Sequence, residues 1–154
     1  MHSCRDFVQS FYDRYWNQYL GRMKDSNFSL PGTGEVLAMK PPVLSKQLIE
    51  LIRKDERESR AHDEVGNLDF DPFLNSQNPQ GRYLVGKVDR SSDVCRAAIP
   101  RAHIVAELKQ IGSAWIFVNF HYSFYKLDGK TKESPDADLL QILNPSSAGA
   151  KPQK

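Results

Sequence analysis

Two polar side chains, Asn119 and His121, interrupt the most hydrophobic run of the sequence and are the best candidates for chemistry. They lie two positions apart, so in an extended strand both point to the same face. An imidazole titrates near neutral pH and can act as an acid or a base. Asp69 and Asp71 can supply a partner carboxylate if their segment folds over the polar end of the strand. These four residues form the candidate pocket, and no catalytic residue is assigned.

The competing interpretation of His121 is structural, because a histidine is more commonly satisfied by a backbone carbonyl or by water. The other histidines add little: His103 shares a strand face with Glu107, where both look exposed, and His62 lies in a charged helix. The sequence contains no glycine-rich phosphate loop, nucleophile elbow, HExxH zinc motif or redox motif. Enzymatic chemistry is therefore the less favoured hypothesis.

The spacing of Asn67, Asp69 and Asp71 resembles the start of a calcium-binding loop, in which alternate oxygen donors converge on the cation. Pro72 follows directly, and the glycine and distal glutamate of such a loop are missing. We expect these side chains to bond the loop's own backbone, with Phe70 and neighbouring hydrophobic residues in the core. No metal site and no cofactor are predicted.

Cys4 and Cys95 lie 91 positions apart, and no Cys-x-x-Cys or Cys/His cluster accompanies them, which disfavours a zinc site. Three interpretations stay open: two free thiols, a disulfide that ties the N-terminal helix to the sheet, and a lipid-modified Cys4. The disulfide would imply an oxidising compartment. The residues before Cys4 are a poor context for acylation.

The run from Trp115 to Tyr122 predicts a central, largely buried β-strand, because most of its residues are aromatic or β-branched. Strict alternation places Trp115, Phe117, Asn119 and His121 on one face and Ile116, Val118, Phe120 and Tyr122 on the other. The stretch from Ala102 to Lys109 also alternates, and Gly112 lies between the two. We therefore predict an antiparallel hairpin from about His103 to Tyr122.

The remaining elements follow from helical periodicity and from turn residues. Three helices are predicted, over residues 5–20 with Ser3 as N-cap and Gly21 as stop, from Ser45 onward, and from Pro135–Asp136 to Asn144–Pro145. Residues 23–42 are predicted to be an irregular loop. Two further strands are expected, over 83–88 with a bend at Gly86 and over 94–100, separated by a polar turn at 89–93.

Composition fits one domain, residues 1–145, followed by a disordered tail, residues 146–154, that lacks bulky apolar side chains. Lys and Arg total 21 against 19 Asp and Glu, a net charge of +2, without the concentrated basic patch of a nucleic-acid-binding protein. No apolar run is long enough to span a membrane. The N-terminus shows no signal peptide, which fits a cytoplasmic protein or a processed mature form.

Several segments together resemble an uncharacterised bacterial envelope family, a domain of unknown function carried on secreted proteins and lipoproteins. They are Phe7-Val8-x-x-Phe11-Tyr12-x-x-Tyr15, the segment 68–77, the hairpin strands 105–108 and 115–122, and Asp138-Leu139-Leu140. The resemblance covers about residues 7–143, and it includes a relationship to the nuclear-transport-factor-2-like, or cystatin-like, fold.

The resemblance implies an α+β fold: a curved antiparallel sheet wrapped around a long aromatic N-terminal helix, with a second helix and a short C-terminal helix. It also implies a location in the periplasm or cell envelope; the alternative is cytoplasmic. It supplies no catalytic residue, and fold alone does not choose a function.

Two functions are carried forward. The first is a non-enzymatic binding protein that acts through a protein partner, as an immunity-type inhibitor of a toxin or an accessory of an envelope complex. The second is a pocket for a small apolar or aromatic ligand, with hydrolase or isomerase chemistry at His121. If Trp16, Phe117 and Phe120 fill the interior, the pocket hypothesis loses support, and a cavity beside His121 would favour it.

Overall fold

The computed structural model describes residues 3–24, 32–63, 68, 70–75, 81–126 and 128–145. The predicted tail, residues 146–154, and the candidate residue Asp69 lie outside these ranges. The described chain is an α+β fold with a five-stranded antiparallel sheet that does not close into a barrel. In chain order the elements are α1 (Cys4–Lys24), α2 (Gly32–Leu37), α3 (Lys46–His62), β1 (Val88–Ser91), β2 (Val94–Ile99), a 3₁₀ turn (Pro100–Ala102), β3 (Ile104–Ile111), β4 (Ala114–Tyr125), β5 (Lys132–Asp138) and α4 (Leu139–Leu143).

Serine caps begin the first and third helices, as predicted. The Ser3 hydroxyl accepts a hydrogen bond from the backbone N–H of Asp6 at 3.1 Å. The Ser45 hydroxyl accepts one from the N–H of Leu48, also at 3.1 Å. Each serine thereby satisfies a backbone donor that has no partner within the helix.

Other predicted helix limits were wrong. Helix α1 continues through Gly21 to Lys24, since a glycine inside a helix costs only about 1 kcal/mol and does not by itself end one. Helix α4 begins after Asp138 and not at Pro135, because Asp138 and Gln141 form a reciprocal capping box there. Its predicted end at Asn144 is confirmed.

Helix α2 lies within the segment predicted to be an irregular loop. Its glycines and short length give a weak helical signal in the sequence. Val36 and Leu37 at its C-terminal end are nevertheless buried in the core. Tertiary packing therefore stabilises a helix that local propensity does not predict.

The predicted strand over 83–88 was also wrong, since β1 starts only at Val88 and extends into the predicted polar turn. Side chains of α1 bind the backbone before it: the amide of Gln9 bonds Tyr83 O at 3.0 Å and Val85 N at 2.9 Å, and Arg5 bonds Gly86 O at 2.7 Å. These three backbone groups are thus bonded by a helix, whereas the N–H of Gly86 and the carbonyl of Lys87 bond Ala98 of β2.

The strands pair in sequence order, β1-β2-β3-β4-β5, and every pair is antiparallel. The predicted hairpin is confirmed as β3 and β4, and Gly112 in its turn has φ +63°. A β-bulge disrupts its register: Leu108 pairs with Phe117 and Glu107 with Asn119, which leaves Val118 as an extra residue.

The bulge changes which residues of β4 face the core. Trp115 and Phe117 are buried before it, and Phe120 and Tyr122 are buried after it. The strict alternation predicted from the sequence was therefore wrong across Val118. We call the side of the sheet that carries these four residues the core face, and the side that carries Val105, Glu107 and His121 the open face.

Aromatic rings from α1 and from residues 70–75 pack on the core face. The largest fully buried side chains include Tyr12, Tyr15, Phe73, Phe117, Phe120 and Tyr122. The ring centroids of Phe11 and Phe117 are 4.9 Å apart, and those of Phe73 and Phe120 are 5.4 Å apart. Burial of rings on this scale is the main favourable contribution to folding.

Of the three alternatives for the cysteines, the structure contains the disulfide. Cys4, the first residue of α1, is bonded to Cys95 of β2, and their Cα atoms are 6.7 Å apart. Both residues are buried in the core. The bond closes a long loop, which restricts the unfolded chain and stabilises the fold.

Candidate functional site

Asp71 lies on the core side of the sheet and does not contact His121. Its Oδ2 accepts a hydrogen bond from the Tyr15 hydroxyl at 2.6 Å. Its Oδ1 accepts from the backbone N–H groups of Phe73 at 2.8 Å and Leu74 at 3.2 Å. Asp71 therefore does not form the conditional pairing with His121 over the polar end of β4, whereas its expected bonding to its own loop is confirmed.

Burial dominates the electrostatics of Asp71, which is only 4% exposed. Loss of hydration raises its pKa from 3.8 to about 6, although hydrogen bonds from Tyr15 and from the backbone act in the opposite direction. The hydroxyl of Tyr122 donates to Pro72 O at 2.7 Å, so the same segment is also tied to β4. This polar cluster holds the 70–75 segment in place.

Asn119 has a structural role that its sequence position does not reveal. Its Oδ1 accepts hydrogen bonds from the N–H groups of Phe120 at 2.9 Å and Leu140 at 3.1 Å. The side chain is 7% exposed and joins β4 to the start of α4. A small cavity of about 290 Å³ lies beside it and is also lined by Gln47 and Asn144.

His121 finds its carboxylate partner on the neighbouring strand. Its Nε2 lies 2.8 Å from Oε1 of Glu107, and Arg96 approaches the same oxygen at 3.6 Å. His121 and Asn119 share a face, as predicted, but the carboxylate beside His121 is that of Glu107 and not that of Asp71. The contact between His121 and Glu107 was not predicted, although the alternation of residues 102–109 places Glu107 away from the core.

A groove of about 700 Å³ lies on the open face beside His121. Its floor is a row of cross-strand neighbours: Ala98 on β2 pairs with Val105 on β3, Val105 with His121, and His121 with Asp138 on β5. Val105 belongs to the middle strand and is still 37% exposed. The described residues therefore leave this part of the face uncovered.

The groove is also lined by two aromatic rings, those of His103 and Tyr125, and by the carboxylate of Asp136. The ring centroids of His103 and Tyr125 are 4.5 Å apart, and the ring planes are tilted by 45°. Lys132 forms a hydrogen-bonded ion pair with Asp136. The hydrogen bond from Lys132 holds the pKa of Asp136 below its usual value. The ammonium group of Lys132 also lies 5.4 Å from the Tyr125 ring centroid.

The chemistry available to this arrangement is limited. The His121–Glu107 contact orients one imidazole nitrogen, as in an acid/base pair. Nucleophile–base geometry requires a serine, cysteine or similar group within hydrogen-bond reach, and none of the hydrogen bonds between described residues joins such a group to His121. Among the described residues, no cluster of three or more His, Cys, Asp or Glu side chains is arranged to hold a metal ion.

The pocket hypothesis loses support if aromatic side chains fill the interior and gains support if a cavity lies beside His121, and both conditions are met in different parts of the molecule. Phe117 and Phe120 are fully buried and Trp16 packs against the same core, so the core face is filled. The groove beside His121 lies on the opposite face. Among the described residues, the groove is therefore open to solvent and is not enclosed between helix and sheet.

Comparison of the chain with protein-family models, with curated proteins and with solved structures gave no match. Within the described ranges, no helix combines the length and the apolar character that crossing a membrane requires.

Proposed function

We propose that this chain is a non-enzymatic binding protein that acts through a protein partner, and that the partner occupies the open face of the sheet. The observation that carries the proposal is the contrast between the two faces. Aromatic rings fill the core face, whereas Val105 at the centre of the sheet stays exposed at the floor of a groove. Exposed apolar side chains with a polar rim are typical of interaction sites.

The disulfide supports a location in an oxidising compartment, and we propose the periplasm or cell envelope. Disulfides persist in secreted and periplasmic proteins and are rare in the cytosol. The resemblance to an envelope family supports the same location. An immunity-type inhibitor of a toxin, or an accessory of an envelope complex, is the role we propose there.

We also propose that the sheet is curved and wraps around α1 in the cystatin-like manner. The contacts that support this arrangement are those of Phe11 with Phe117 on β4 and of Cys4 with Cys95 on β2. They place α1 against two different strands of the core face.

Site-specific photocross-linking in the native host tests the binding function. A benzoyl-phenylalanine at Val105 is expected to give a discrete adduct, whereas the same probe at Lys54, exposed on α3, gives none. Replacing Ala98 by tryptophan fills the groove and should abolish the Val105 adduct. Equal labelling from both positions, or an adduct that survives Ala98→Trp in a protein of unchanged Tm, would contradict the proposal.

A second candidate function is acid/base catalysis on a small ligand, favoured by the 2.8 Å contact between His121 and Glu107 at the groove. Hydrolysis of p-nitrophenyl acetate provides a general probe. If this function holds, His121→Ala and Glu107→Gln both slow the reaction relative to wild type, whereas Asp89→Asn on β1 does not. Equal rates in all four proteins would exclude this hydrolysis at His121.

A further inference from the structure

The floor of the groove changes from apolar to acidic along one row of side chains. The row runs through Ala98, Val105, His121 and Asp138, one residue on each of four neighbouring strands. Adjacent strands are about 4.8 Å apart, so the row is about 14 Å long. An occupant that lies across the strands meets methyl groups first, then an imidazole, and then a carboxylate.

At the acidic end of the row, one carboxylate oxygen of Asp138 accepts a hydrogen bond and, within the described ranges, the other does not. Its Oδ1 accepts the N–H of Gln141 at 2.8 Å and caps α4. Its Oδ2 makes no hydrogen bond to any residue that the structure describes, and no described lysine or arginine forms an ion pair with it. Asp136 differs, because Lys132 neutralises it.

The charge of the groove lining is negative, whereas the net charge of the whole chain is positive. Two aspartates and two histidines line the groove, and its lining includes neither lysine nor arginine. The whole chain carries a net charge of +2. Because Lys132 neutralises Asp136, the negative charge of the groove rests on Asp138, and this carboxylate favours a cationic group at that end of the groove.

We propose that the groove binds a lysine or arginine side chain from an extended segment of the protein partner. The backbone of the segment lies over Ala98 and Val105, the aliphatic stem crosses His121, and the charged head group meets Asp138. Long basic side chains suit such a surface, since their stems bury against apolar groups while their ends stay polar. The inference depends on the proposed binding function and names the chemistry of its partner.

The test uses three acetylated, amidated pentapeptides, Gly-Val-Lys-Val-Gly and its glutamate and norleucine counterparts, titrated into the ¹⁵N-labelled full chain. The lysine peptide is expected to shift the amide resonances of Val105, His121 and Asp138 and to bind more tightly than either counterpart. Asp138→Asn should weaken the lysine peptide about threefold, the effect of one partly exposed ion pair. Asparagine is itself a good N-cap, so this variant keeps α4 intact.

Asp89→Asn is the matched control, because it makes the same change in net charge on exposed β1, outside the groove. It should leave the affinity for the lysine peptide unchanged. The inference is overturned if the three peptides bind equally, if the lysine peptide shifts no groove resonance, or if both variants weaken it alike. Persistence of the Val105 cross-link in any of these cases would show that the binding function survives and only the partner chemistry is wrong.

Discussion

Asp71 and Glu107 are two carboxylates on opposite sides of the sheet, and the protein satisfies them in different ways. Asp71 is buried beneath the core face, where Tyr15 and backbone N–H groups bind it. Glu107 lies on the open face, where His121 and Arg96 approach it from neighbouring strands. Asp71 is thus bonded within the fold, whereas Glu107 keeps partial contact with solvent.

The difference explains why the groove, and not the interior, is the candidate site. A group buried in the core contributes to stability but reaches no ligand unless the fold opens. A partly exposed pair costs little to rearrange, because water replaces whatever contact is lost. Substitutions on one face or the other therefore test whether the core face serves stability and the open face serves binding.

The largest expected effect comes from Phe120→Ala on the core face. Removing this fully buried ring leaves a cavity and should lower the free energy of unfolding by about 4 kcal/mol. Val105→Ala, at a neighbouring position on the open face, should lower it by less than about 1 kcal/mol. Denaturant titration of both variants measures the contrast, and equal losses would mean that the faces do not differ as described.

Removing the disulfide is expected to have the next largest effect. The double variant Cys4→Ala/Cys95→Ala should lose about 3 kcal/mol of stability, because the unfolded chain regains the freedom of a long loop. The groove lies on the other face, so affinity for the lysine peptide should not change under conditions where the variant is folded. If the double variant is stable but no longer binds the lysine peptide, the disulfide contributes to binding and not to stability.

Asp71→Asn tests the burial of this carboxylate through the pH dependence of stability. Burial raises the pKa of Asp71 in the folded protein to about 6 from 3.8, so the folded state holds the proton more tightly than the unfolded state. The resulting stabilisation is complete below about pH 4 and is lost as pH rises through about 6, a change of up to about 3 kcal/mol. Wild type should therefore lose stability relative to Asp71→Asn across this window.

Urea titrations of both proteins between pH 4 and pH 7 measure this difference. Asparagine carries no titrating carboxyl at this position, so the subtraction removes the contributions of all other groups. A difference that is constant with pH, or that grows in favour of wild type as pH rises, would show that hydrogen bonding and not burial controls Asp71.

The sequence predicted the class of the fold and much of its core because those properties depend on local patterns. The hairpin of β3 and β4, the serine caps and the strand from Val94 all follow from alternation, capping or turn residues. Helix α2 was missed because long-range packing of Val36 stabilises it. No local pattern carries that information.

The candidate site was predicted only in part, and the bulge at Val118 is the physical reason. Counting back from the Gly112 turn without a bulge pairs His121 with Ile104, whereas in the structure His121 pairs with Val105 and Ile104 with Tyr122. One extra residue thus moves the histidine to the face of Glu107 and away from Asp71. A bulge depends on how both strands pack, so the alternation of β4 alone does not predict it.

The smallest expected effect is that of His121→Ala, at the centre of the groove. Its imidazole is 35% exposed and its bond is to a partly exposed carboxylate, so the stability lost should be below about 1 kcal/mol. Arg96 still approaches Glu107 in the variant, and Asp138 still supplies the negative charge. Partner cross-linking from Val105 should therefore remain largely intact, and a complete loss through this single change would transfer the binding function from the acidic end of the groove to His121 itself.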